Sequence, residues 1–169
     1  GSVFTSCQVT LSGQIGWYFG DPTIAGVSCQ FCNIVNCLVD SSNGEGYVFS
    51  KGTASRLGSV AITGCWSGNN VTGIRVTGGD HFSISGGLIQ NVNTGIIIDG
   101  CNGCNVTGIN IFEYDRTAIG AFALEFVNST SRCSAESYIA TRSVGGLGGP
   151  FVSDASSSLL NNKVSVNSI

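Results

Sequence analysis

A block of 22 residues recurs in register through the middle of the chain. A fixed step of that size restricts the chain to stacked units, each burying its apolar side only against its neighbours. Ile62-Thr63-Gly64, Ile84-Ser85-Gly86 and Val106-Thr107-Gly108 begin at 62, 84 and 106. Gly73-Ile74-Arg75-Val76-Thr77-Gly78 is followed at the same step by Gly95-Ile96-Ile97-Ile98-Asp99-Gly100, and Thr117-Ala118-Ile119-Gly120 stands where the next copy falls due. Within each run apolar residues alternate, the period of a strand with one buried face. Gly and Asn punctuate the runs, as turns needing positive φ require. No stretch has a convincing helical period. Equivalent positions one unit apart would lie about 4.8 Å apart, the strand spacing of a sheet. The pattern predicts an all-β, right-handed parallel β-helix with two or three short strands per unit.

Upstream, Ile34-Val35-Asn36-Cys37-Leu38 matches Ile62-Thr63-Gly64-Cys65-Trp66 at a step of 28, which places an insertion at 51–56. Such an insertion loops out of one face of a stack, often the binding face. Leu11-Ser12-Gly13 is aligned with Ile34, and Gly46-Tyr47-Val48-Phe49 is the second strand of that unit. Residues 122–127 and 137–141 continue the stack less regularly. Gly1-Ser2 reads as a cloning scar, residues 3–144 as the β-helix, and 145–169 as a Gly-rich break with an end segment that crosses or pairs elsewhere.

Charged residues make up only 10% of the 169, against 42% hydrophobic, the reverse of a disordered composition. An unbroken apolar run long enough to span a membrane is lacking, so membrane insertion is not expected. A net charge of −3 argues against nucleic acid as a partner. No cofactor signature is present.

Eight cysteines include two Cys-x-x-Cys pairs, Cys29/Cys32 and Cys101/Cys104. The pairs share columns three units apart, roughly 14 Å, too far to hold one ion together. Cys37 and Cys65 are column neighbours whose parallel side chains aim the sulfurs alike rather than at each other. Most of the thiols read as reduced, small core residues, with one or two disulfides as the alternative, and no metal site is expected. Asn70-Val71-Thr72, Asn105-Val106-Thr107 and Asn128-Ser129-Thr130 match the glycosylation sequon but carry no weight without a secretory route.

Arg75, Ile97 and Ile119 share an outward column in this alignment. Two outward isoleucines form a stripe that needs cover, from the chain's own loops or from other copies around a three-fold axis. Low charge, abundant Ser, Thr, Asn and Gly, core thiols and this stripe together resemble the tailspike and tail-fibre proteins of bacteriophages, over residues 7–141. The resemblance implies a homotrimeric adhesin of the virion tail, made in the host cytoplasm, that recognises a bacterial surface polysaccharide (capsule or O-antigen) and in many relatives depolymerises it. Pectate lyases and polygalacturonases share the fold, but their Gly-His-Gly, Asp-Asp and Arg-Ile-Lys signatures are absent here.

Glycoside hydrolysis needs two carboxylates, about 5–5.5 Å apart for retention or 6.5–9.5 Å for inversion. Glu113-Tyr114-Asp115, if extended, places two acids on one side of a strand, and Arg116 beside them could hold a sugar carboxylate. Glu113 and Asp115 are thus the candidate catalytic pair, against the plainer reading that they solvate a turn. A lyase would want a base near a charge-neutralising group, and the sequence does not choose one. His81, beside Asp80, reads as a solvated turn residue. For sugar binding the candidates are Trp66, Tyr114, Arg116, Arg75 and Asp99, because an aromatic face beside polar groups packs on sugar C–H bonds. The alternatives are a non-catalytic structural shaft and a monomeric, secreted carbohydrate-active enzyme of the pectate-lyase type.

Overall fold

The computed structural model describes residues 1–20, 29–51, 57–114, 122–142, 152–156 and 162–168. Among them the chain is all-β and every named strand pairing is parallel. The first unit holds β1 (Val3–Thr5), β2 (Gln8–Thr10) and β3 (Trp17–Phe19), and the second β4 (Cys29–Gln30), β5 (Asn33–Val35), β6 (Leu38–Asp40) and β7 (Glu45–Ser50). The third holds β8 (Leu57–Thr63), β9 (Trp66–Gly68) and β10 (Thr72–Thr77), and the fourth β11 (Asp80–Ser85), β12 (Leu88–Gln90) and β13 (Thr94–Asp99). β14 (Asn105–Thr107), β15 (Asn110–Tyr114) and β16 (Leu124–Asn128) form the fifth, followed by β17 (Ser134–Arg142), β18 (Val152–Ser156) and β19 (Lys163–Ser168).

Each strand pairs with its counterpart one unit away, so three runs of parallel strands build two sheets. β1-β5-β8-β11-β14 and β2-β6-β9-β12-β15 form the first sheet, and the long β17 pairs with both β14 and β15 to close the two runs into it. β3-β7-β10-β13-β16-β18 form the second. The inner columns fill the space between: Ile34, Ile62, Ile84 and Val106 from the first run, Val39, Ile89 and Ile111 from the second, and Tyr47, Ile74, Ile96 and Leu124 from the third. Each such side chain is at most 2% exposed and contributes about 1.5–3 kcal/mol through burial.

The corners recur as faithfully as the strands. Ser6, Asn36, Gly64, Gly86 and Gly108 all have positive φ after the first run, as do Leu11, Ser41, Asn69, Asn91 and Glu113 after the second. Where the chain enters the third run, Gly73 leaves no room for a side chain. A Cβ there would stand 2.6 Å from Ile89 Cγ2 and 2.7 Å from the Gly95 carbonyl oxygen. Strand packing across the interior, rather than turn geometry, demands this glycine.

The register corrects the sequence alignment at two places. Phe4, not Leu11, lies beside Ile34, and Leu11 is an exposed corner residue. The column places expected for Ala118, Ile119 and Gly120 are held by Leu124, Glu125 and Phe126. A second long step intervenes there, and Leu124 and Phe126 supply core bulk that Ala118 and Gly120 lack. Beyond 144, β18 pairs with β16 and β19 with β17, and the Gly-rich stretch 145–150 lies outside the described residues. The upstream insertion falls largely where expected. Ser50 and Gly58 are eight positions apart where their partners Thr77 and Asp80 are three apart. Residues 52–56 lie outside the described residues.

Candidate functional site

The outer face of the second run carries a half-buried column, Leu38, Trp66, Leu88 and Asn110, in consecutive strands. Trp66 is singular in it because Gly68 follows two residues later on the same face. A Cβ at Gly68 would stand 2.4 Å from both Cζ2 and Cη2 of the indole. The six-membered ring therefore lies down on the strand over Gly68, which is buried although it faces outward. One ring face is spent on the sheet, and the half-buried indole presents the rest outward.

Asp40 and Gln90 flank Gly68 in the register, and Phe112 follows Gln90. Phe112 is 36% exposed. It lies two strand spacings from Gly68, roughly 10 Å. The face thus offers two aromatic groups with an amide between them. A polar ladder edges it at the adjoining corner. Asn69 Nδ2 donates to Asp40 Oδ1 at 2.8 Å, Ser41 Oγ donates to the same oxygen at 2.9 Å, and Asn91 Nδ2 donates to Asn69 Oδ1. Glu113 is the next residue of this corner column and is exposed.

Buried polar groups hold the platform from beneath. Asn70 Nδ2 donates to Ser67 Oγ at 2.9 Å, Ser67 Oγ donates to the Gly73 carbonyl at 3.1 Å, and Asn70 Oδ1 accepts from the Ser42 N–H at 2.8 Å. The Tyr47 hydroxyl donates to the Trp66 carbonyl at 3.3 Å, and burial pushes its pKa upward, so it stays a donor. Asn70 is 5% exposed, which closes the first sequon to glycosylation in the folded chain.

The other sequence candidates are dispersed. Tyr114 is fully buried and offers no ring to a ligand. The backbone is left-handed at Glu113 and the register shifts between Phe112 and Tyr114, so the extended geometry assumed for Glu113-Tyr114-Asp115 does not hold. The corner column imposes that reversal, turning Tyr114 inward. Asp115, Arg116 and Ile119 lie outside the described residues. Asp40 and Glu113 are three units apart, about 14 Å, beyond either glycosidase spacing.

Arg75 and Asp99 belong to the other sheet. Arg75 Nε is ion-paired with Glu45, and Asp99 Oδ1 accepts from Asn128 Nδ2. Glu125 joins this group; burial raises its pKa, Arg75 opposes the rise and Asp99 adds to it. Ile97 sits between Arg75 and Glu125 in the register and is only 7% exposed in the single chain. The expected Ile97/Ile119 interface stripe is therefore corrected: Glu125 takes the place given to Ile119, and Ile97 is already covered.

A polar pocket of about 370 Å³ opens elsewhere, lined by Gln30, Lys51, Leu57, Gly58, Ser59, Asp80 and His81. Sequence reasoning missed Asp40, Gln90, Asn69, Asn91 and Phe112 on the Trp66 face. The legible signal was the step itself, since Gln90 and Phe112 stand one and two periods of 22 after Gly68. No family model, curated protein or solved structure matches the chain.

Proposed function

We propose that this chain is a right-handed parallel β-helix of the phage tailspike or tail-fibre kind, and that the outer face around Trp66 recognises a bacterial surface polysaccharide. The observation that carries the reading is the indole lying on Gly68 with Asp40, Gln90 and the Asn69/Asn91 ladder around it. A flat aromatic packs on the C–H face of a pyranose, while carboxylate and amide groups fix its hydroxyls. Phe112, two units along, supports a ligand of more than one sugar running along the stack. The ligand class is a neutral or hydroxyl-rich glycan, because the polar groups beside the ring among the described residues are amides, a hydroxyl and one carboxylate.

This face supports binding rather than cleavage. Its described acids, Asp40 and Glu113, are too far apart to share a glycosidic bond. A two-carboxylate glycosidase on this face would need an acid other than these two.

The test is affinity electrophoresis through gels containing capsular or O-antigen polysaccharides. A polysaccharide that retards the wild-type chain should retard Trp66→Ala at least tenfold less in apparent affinity, about 1.4 kcal/mol. Equal retardation of the two proteins by every polysaccharide that binds would remove the platform from the account.

A further inference from the structure

The two Cys-x-x-Cys pairs occupy the same columns three units apart, yet their surroundings differ. Cys29 Sγ donates to Cys32 Sγ at 3.0 Å, and Cys32 Sγ donates to the Gln30 carbonyl at 3.6 Å. Phe31 between them has φ 55° and is 67% exposed, with its N–H bonded to the Gly58 carbonyl. That left-handed residue reverses the chain so that both thiols face inward at one corner. A disulfide requires the sulfurs at about 2.05 Å, so a closure of about 1 Å remains, within reach of side-chain rotation. The second pair is sealed: Cys101 and Cys104 are 0% and 2% exposed, and the Cys104 N–H donates to Cys133 Sγ at 3.3 Å. Cys29 and Cys32, at 7% and 8%, are the least enclosed of the seven buried thiols.

We propose that Cys29 and Cys32 are a reversible redox pair, closing to a disulfide in the folded chain by exchange with a small organic disulfide while the deeper thiols stay reduced. In the first step the Cys32 thiolate attacks one sulfur of the reagent, forming a mixed disulfide and releasing one reagent thiolate. In the second, Cys29, as its thiolate, attacks Cys32 Sγ, forming the internal bond and releasing the other reagent thiolate. Two electrons pass from the protein to the reagent, and the two thiol protons go to the released thiolates. Burial and the hydrogen bond to Cys32 push Cys29 up to about 12, which makes it the slow, resolving thiol. Gln30, between the two cysteines in sequence, lines the polar pocket with Ser59, Asp80 and His81.

The folded full chain is incubated with excess oxidised glutathione, quenched in acid and digested with chymotrypsin. Cleavage after Phe31 separates the two cysteines, so an internal disulfide appears as a linked pair of peptides. The expected result is that linked pair, lost on dithiothreitol treatment, with Cys101, Cys104 and Cys133 still alkylatable after unfolding. In Cys29→Ser the reaction should stop at a glutathione adduct on Cys32, with the circular dichroism unchanged. The proposal is overturned if Cys29 and Cys32 stay free, if the wild-type chain halts at a glutathione adduct on either, or if the deeper thiols oxidise first.

Discussion

The outer faces of the second and third runs come from the same units in the same register, yet they have opposite fates. On the third run, polar side chains satisfy one another: Arg75 holds Glu45, Asn128 donates to Asp99, and Ile97 is covered within the chain. On the second run a missing side chain at Gly68 lets Trp66 lie flat, and the ladder from Asp40 to Asn91 stands beside it rather than over it. In a stacked architecture, then, an outward residue's role is set by its column neighbours and by the residue two along. Composition of the face does not decide it.

The comparison breaks most severely where both faces share a frame. Gly73→Ala places a methyl against Ile89 and the Gly95 carbonyl, and should cost about 3 kcal/mol through overpacking. A urea midpoint unchanged from wild type would show that the third run has slack at its entry. Next in size is Gly68→Val, which lifts the indole off the strand. Glycan affinity should fall roughly tenfold, about 1.4 kcal/mol, with the sheet signal in circular dichroism retained. Retained affinity would mean that the ring's flat pose is immaterial. Arg75→Met sharpens the contrast from the other side. Its partly exposed ion pair should cost up to about 1 kcal/mol in thermal unfolding, and glycan affinity should not move. A loss of glycan affinity would join the two faces into one site.

The smallest effect is in pH dependence. Glu125 has a folded pKa above its unfolded value, so the native state holds its proton more tightly. Its contribution to stability is full below the unfolded value and is lost as pH rises through the raised folded value. Urea midpoints should therefore decline from the model-peptide carboxylate range upward. Glu125→Gln should flatten that decline, and Arg75→Met should deepen it. A decline of unchanged slope in Glu125→Gln would assign the effect to other groups.

Repetition made the central units legible. Ile62, Ile84 and Val106, like Ile74 and Ile96, show their columns because the step is constant between them. Where it lengthens, alignment by step fails, and only bulk discriminates: Leu124 and Phe126 fill core places that Ala118 and Gly120 would leave empty. The left-handed corner at Glu113 was hidden for another reason. Two of its column neighbours are Asn69 and Asn91, of a residue type enriched in that conformation, whereas a glutamate there gives no signal in sequence. Trp66 could be read as an outward aromatic, but its pose depends on Gly68, a residue that looks like any other turn glycine until the strand is placed.

The most direct test of the platform is the fluorescence of Trp66 in a Trp17→Phe chain, where it is the remaining tryptophan. Titration with a polysaccharide that binds should shift the emission to the blue and protect the indole from iodide quenching, saturating with the binding curve. Binding that leaves both the emission and the quenching of Trp66 unchanged would contradict the account.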